Sequence, residues 1–154
     1  MDTLIIESRA IGARPTAIVS ADLDLDELKT WLGRAFGQVA EHLAATGNPP
    51  VGPPFARYHW IEDHRFHVEA GFPVAKPIVS DDGVHASRLP GGSVAVTSHM
   101  GPYDDLGNTY QAISRWLESR SATPEGDPWE IYFNGPEDPP STWRTDIYQP
   151  FRPS

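Results

Sequence analysis

Glu130 is a lone carboxylate inside an otherwise apolar run, Trp129-Glu130-Ile131-Tyr132-Phe133. Burying an ionised carboxylate without a partner costs several kcal/mol or drives it to take up a proton. An acid flanked by aromatics therefore asks for a buried cation, strong hydrogen-bond donors or water. A pocket for a flat, positively charged small molecule supplies the first. The other arrangement compatible with strand alternation is an edge strand whose Glu130 side faces solvent.

A second group of residues carries similar chemistry. The runs Phe55 to Ile61 and Phe66 to Phe72 read as a hairpin around the polar turn Glu62-Asp63-His64-Arg65. A turn centred on Asp63-His64 pairs Ile61 with Phe66, Trp60 with His67 and Tyr58 with Glu69. Tyr58, Trp60, His67 and Glu69 then share one face, with His59, Ile61, Phe66 and Val68 on the other. Two aromatics and a carboxylate on one face have the composition of a cage for a cation. An amphipathic hairpin with aromatics paired across a solvated face fits the same pattern.

The elements that must position these residues occur twice. Thr16 to Ser20 is a short β-prone run, and Asp24 with Glu27 reads as a capping box opening a helix. Leu25, Leu28, Leu32, Val39 and Leu43 recur at helical spacing, and Gly47-Asn48-Pro49-Pro50 ends the stretch. The hairpin follows. In the second half Ser93 to His99 is a strand, and Gly101-Pro102-Tyr103-Asp104-Asp105 carries turn chemistry. Leu106, Tyr110, Ile113 and Leu117 then lie on one helical face, before strands at Trp129 to Phe133 and Trp143 to Tyr148. The expected fold is α+β: a single domain, 1–154, of duplicated β-α-β-β, with repeat one about 14–75 and repeat two about 88–151. Such a duplication is expected to place one antiparallel sheet under two main helices about a pseudo-two-fold axis, with a ligand cleft on that axis.

Composition narrows the function classes. The 154 residues suffice for one domain with a real core, and 5 Trp, 5 Tyr and 6 Phe supply large apolar area. The formal net charge of -9 and the lack of any Lys/Arg cluster leave no electrostatic footprint for nucleic acid. An acidic surface attracts cations through its long-range field. No apolar run approaches a membrane span and no signal pattern opens the chain, so the cytoplasm is the default expectation. With no cysteine, redox chemistry says nothing of the compartment.

The order and spacing of these motifs resemble the GyrI-like (gyrase-inhibitory-protein-like) domain, which also forms the effector-binding part of MerR- and AraC-type multidrug-responsive regulators. The residues carrying the resemblance are the duplicated β-α-β-β, the Gly101-Pro102-Tyr103 turn, Trp129-Glu130-x-Tyr132, the terminal Thr145-x-Ile147-x-x-Pro150, and Glu69-x-Gly71-Phe72-Pro73-Val74 in the first repeat. It spans about Arg14 to Phe151. The resemblance implies a hydrophobic cleft for lipophilic, often cationic, aromatic compounds. Glu130 matches the family's buried glutamate, with Tyr58, Trp60 and Tyr103 as wall residues and Trp143 and Tyr148 as further candidates. No DNA-binding helix-turn-helix is expected ahead of the domain, so the stand-alone form is expected.

Three functions follow as expectations. The leading one is binding of lipophilic aromatic or cationic compounds without chemistry. A subset of stand-alone members resembles hydrolases that open the cyclopropane ring of DNA-alkylating natural products, a role in which Glu130 and Tyr103 would be catalytic. Lowest is inhibition of gyrase by mimicry of DNA charge, because Arg57, Arg65, Arg88, Arg115 and Arg144 interrupt the acids. No metal is expected from His59, His64 and His67, since the hairpin register sends His59 and His67 to opposite faces. Gly12 and Gly91-Gly92 make no phosphate loop, no Gly-x-Ser-x-Gly occurs, and no cofactor is expected.

Overall fold

The structure is a computed structural model and describes residues 4–62, 64–81, 83–135 and 137–154. The chain divides into two compact units, one of residues 12–91 and one of residues 1–11 with 92–154. Each is an antiparallel sheet carrying one main helix. Among the described residues no helix is long and apolar enough to cross a membrane.

In the unit of residues 12–91, strand β2 (Arg14–Asp24) runs directly into α1 (Leu25–Thr46). The switch occurs at Asp24, whose backbone N–H donates to the Glu27 carboxylate at 3.1 Å, as the capping-box spacing requires. The helix stops at Gly47, where φ is 72° and a residue with a Cβ would be strained. Ala35, Val39 and Leu43 are its buried stripe, whereas Leu25, at its first turn, is 57 % exposed. Strands β3 (Phe55–Glu62) and β4 (Arg65–Pro73) follow, then β5 (His85–Leu89), giving the order β3-β4-β2-β5. The helix packs on β4 and β2, with Phe36 edge-on to Phe72 at 6.1 Å.

The hairpin register corrects the sequence expectation. Trp60 lies opposite Phe66, His59 opposite His67, Tyr58 opposite Val68 and Arg57 opposite Glu69. The pairing shifts between Trp60 and Glu62, so Ile61 is an extra residue in β3. One inserted residue reverses which side chains share a face. Tyr58 and Trp60 therefore side with Phe66, Val68 and Phe72, on the α1 face, and Glu69 and His67 lie on the other. Of the predicted turn, His64 adopts φ 58°, while Asp63 lies outside the described residues.

Gly71 explains the glycine of the first-repeat motif. A Cβ built there would stand 1.8 Å from the carbonyl oxygen of Ala17 on β2. Only glycine allows that approach.

In the other unit, β6 (Gly92–Met100) leads through a 3₁₀ turn (Tyr103–Asp105) to α2 (Leu106–Ser119). Strands β7 (Thr123–Pro124), β8 (Trp129–Tyr132) and β9 (Arg144–Arg152) follow, and β1 (Glu7–Ile11) completes the order β1-β6-β9-β8, with β7 beside β9. Ile113 and Leu117 of α2 bury against Ala95, Ile147 and Phe151. Each such side chain contributes about 1.5–3 kcal/mol by leaving water.

Strands β1 and β5 were not read from the sequence, and they hold an unexpected relation. β1 precedes β2 by two residues yet pairs with β6, Ile11 opposite Gly92. β5 precedes β6 by two residues yet pairs with β2, Leu89 opposite Arg14. Each repeat thus opens with a strand that completes the sheet of the other repeat.

Candidate functional site

The β8–β9 register sets Glu130 opposite Ile147 and Tyr132 opposite Thr145. The β6–β9 register sets Thr97 opposite Ile147 and His99 opposite Thr145. All six share the face on which α2 packs, because Ile147 belongs to the helix–sheet core. Glu130 is therefore under the helix and only 6 % exposed, not on a solvated edge.

Two phenols hold its carboxylate. Tyr110 on α2 donates to Oε2 at 2.5 Å, and Tyr132, two residues along β8, donates to Oε1 at 2.7 Å. Among the described residues no Lys or Arg forms an ion pair with it. Burial pushes the Glu130 carboxyl above its ordinary range. The bonds from Tyr110 and Tyr132 and the charge of His99 pull the other way without cancelling that effect. The site holds a carboxylate that lacks a full countercharge.

An aromatic wall stands beside it. Tyr103, in the 3₁₀ turn, meets Tyr132 edge-on at 6.0 Å and lies against Trp143 at 5.0 Å with 31° between planes. Tyr103 is 40 % exposed. Burial, then the charge of Glu130, raises its phenol above the ordinary value. Trp143 is fixed from two sides: its Nε1–H donates to the Asp138 carbonyl at 3.0 Å, and its own carbonyl accepts from Gly101 N–H at 2.8 Å. Gly101 has φ 109°, a backbone state closed to most residues, so the motif glycine lets the turn reach Trp143.

His99 braces the same turn. One ring nitrogen pairs with the Thr109 hydroxyl at 2.9 Å and Nε2 pairs with the Pro102 carbonyl at 3.0 Å, which joins β6 to α2 and to the residue before Tyr103. Thr145 beneath is fully buried, and its side chain couples to the Tyr103 phenol, lowering it against the two larger raising effects.

Of the residues singled out in the sequence, Glu130, Tyr103 and Trp143 come together here. Tyr148 does not: it lies opposite Trp129, stacked on it at 5.4 Å with 8° between planes, on the opposite face from Glu130. Its position next to Ile147 on β9 reverses its direction. Tyr58, Trp60 and Glu69 belong to the other unit. Tyr58 and Trp60 contact Phe66, with ring centres at 6.0 and 5.4 Å, and Glu69 lies across from Arg57 on the reverse face. The expected cage of two aromatics and Glu69 is not formed. Sequence reasoning missed Tyr110, Tyr132, His99 and Thr145. Tyr132 had a signal, since alternation puts it on the face of Glu130.

The repeats are not equivalent at this point. Counting both registers outward from the paired ends Ile11–Gly92 and Leu89–Arg14, Ala56 takes the place of Glu130 and Tyr58 that of Tyr132. The acid belongs to the second repeat alone.

A family model described as the GyrI-like small molecule binding domain matches residues 7–152. No curated protein matches the sequence. Among solved structures, the EcmrR C-terminal domain superposes with a TM-score of 0.78 at 18% identity, covering 98% of this chain and 99% of that one. SAV2435, solved bound to tetraphenylphosphonium, gives 0.71 at 8% identity, with 96% and 94% covered. A hydrolase from Listeria innocua gives 0.71 at 13% identity, with 96% and 91% covered. At these identities the likeness is one of fold, and the fold is the α+β GyrI-like effector-binding fold that the motif order led us to expect.

Proposed function

The chain belongs to the GyrI-like small-molecule-binding family, and on that premise we propose that it binds lipophilic aromatic cations at Glu130, without altering them. The observation that carries this reading is a carboxylate 6 % exposed, held by Tyr110 and Tyr132, with no basic side chain paired to it among the described residues. A bound cation supplies the missing charge in a setting of low dielectric, where the attraction is strong. Tyr103 and Trp143 offer ring faces to a flat or polyaryl ligand. That SAV2435, of the same fold, was solved with tetraphenylphosphonium supports the ligand class. Multidrug-type sequestration in the cytoplasm follows as the cellular role.

Fluorescence titration with tetraphenylphosphonium and a rhodamine-type dye tests the proposal, since Trp143 lies in the wall. Saturable quenching and a raised melting temperature are expected. Unchanged emission and melting at high micromolar concentrations of both ligands would remove the reading.

A second reading has its own support. A buried carboxyl that burial makes a weaker acid, next to the Tyr103 phenol, suits protonation of a dienone carbonyl while water opens a conjugated cyclopropane. The likeness to a Listeria innocua hydrolase points the same way. Mass spectrometry after incubation with such a dienone decides it: a gain of one water, lost in Glu130→Gln, establishes hydrolysis.

A further inference from the structure

The extra residue at Ile61 has an effect on the reverse face of the sheet in residues 12–91. His59 of β3 lies directly opposite His67 of β4, and His67 lies directly opposite Asp22 of β2. Three chemistry-bearing side chains thus form one row across three adjacent strands. His67 Nδ1–H donates to Asp22 Oδ1 at 2.7 Å. That bond fixes the tautomer and leaves the Nε2 lone pair of His67 directed away from Asp22. The His67 and Asp22 side chains are 41 % and 55 % exposed, and His59 is exposed, so an ion reaches the row from solvent.

Directly opposed residues of an antiparallel pair have Cβ atoms about 4.5–5.5 Å apart. Two imidazoles at that separation can turn their nitrogens to a common point about 2 Å from each, the usual metal–nitrogen distance. Asp22 then plays the part of the outer carboxylate that orients a ligating histidine.

We propose that His59 and His67 form a surface site for a divalent transition metal ion of the copper, nickel and zinc class, with Asp22 orienting His67 and water completing the shell. The donor set is imidazole nitrogen, so copper(II) should bind most tightly of the three. Among the described residues no group of three or more His, Asp or Glu side chains is gathered for a metal, so the protein offers the ion two imidazole donors and water supplies the rest. The site lies in the unit that lacks Glu130 and stands or falls independently of ligand binding there.

The experiment is calorimetric titration of the tag-free chain with copper(II), nickel(II) and zinc(II) salts, paired with nuclear magnetic resonance of the wild-type histidine rings. One copper ion per chain is expected, with selective broadening of the His59 and His67 signals while buried His99 stays sharp. His59→Ala and His67→Ala should each abolish the copper signal, Asp22→Asn should weaken it about 10–100-fold, and His42→Ala should leave it unchanged. Broadening centred on other residues, binding that survives His67→Ala, or no binding of any of the three ions would overturn the assignment.

Discussion

Tyr110 on α2 and Glu130 on β8 share a 2.5 Å hydrogen bond, so the helix is pinned to the sheet through the acid at the centre of the site. Ligand recognition and helix docking therefore use one group. Tyr110→Phe removes a donor to a buried carboxyl and should destabilise the fold by about 1–3 kcal/mol in urea unfolding. It should also raise the pH at which Glu130 ionises, because a bond favouring the charged form is gone. Titration of a carbon-13-labelled carboxylate would report that rise.

Affinity for cations should increase with pH. Burial holds the proton on Glu130 above the ordinary glutamate value of 4.5, and only the ionised form attracts a cation. Tetraphenylphosphonium should bind more tightly as pH climbs through the raised value, releasing a proton that calorimetry in buffers of different ionisation enthalpy detects. Glu130→Gln should flatten the profile and release no proton, while neutral aromatic ligands change little.

The same burial sets the sign of a stability effect. In the unfolded chain the Glu130 carboxyl loses its proton near its ordinary value, whereas the folded chain retains it to higher pH. Between those two values the folded state binds more protons, so raising pH favours unfolding. Glu130→Gln should accordingly match the wild type in melting temperature in acid and exceed it above the raised value. A variant less stable than the wild type at neutral pH would show that the phenol bonds to the carboxylate outweigh its desolvation.

The wall residues separate binding from chemistry. Trp143→Ala should weaken tetraphenylphosphonium roughly 2- to 30-fold, the range of a cation–π contact. Tyr103→Phe keeps the ring and should leave that affinity nearly intact. If the chain hydrolyses a dienone, the same Tyr103→Phe should cost roughly 10²–10⁴ in turnover.

Gly71→Ala should be severe, about 3 kcal/mol or more in urea unfolding, because its Cβ would strike the Ala17 carbonyl, a backbone atom that cannot move alone.

Much of this was legible in the residues, and the failures have a common cause. The Asp24/Glu27 cap, the Gly47 stop and the helical stripe at Ile113 and Leu117 depend on short-range spacing, and each is found where spacing put it. Glu130 stands out as an acid among aromatics, and alternation within its strand carries the signal for Tyr132, which was missed. Thr145 joins them through the pairing of β8 with β9, and His99 only through that of β6 with β9, a relation between residues 46 apart that no local pattern encodes. The hairpin face failed for the same reason at shorter range: nothing in Tyr58-His59-Trp60-Ile61-Glu62 announces the extra residue, yet it reverses which side chains share a face. β1 and β5, Glu-Ser-Arg-Ala-Ile and His-Ala-Ser-Arg-Leu, are edge strands too polar to show an alternating pattern.

The crossed edge strands make neither half of the chain self-sufficient. A fragment ending near Ser80 keeps β1 but loses β5, so β2 has an open edge and β1 has no partner within the fragment. Two copies of that fragment could satisfy each other, each lending β1 to the β2 of its twin. The two repeats thus have the connectivity of a strand-exchanged pair. Within the one chain the corresponding position holds Ala56 in one repeat and Glu130 in the other, a division of labour closed to identical subunits.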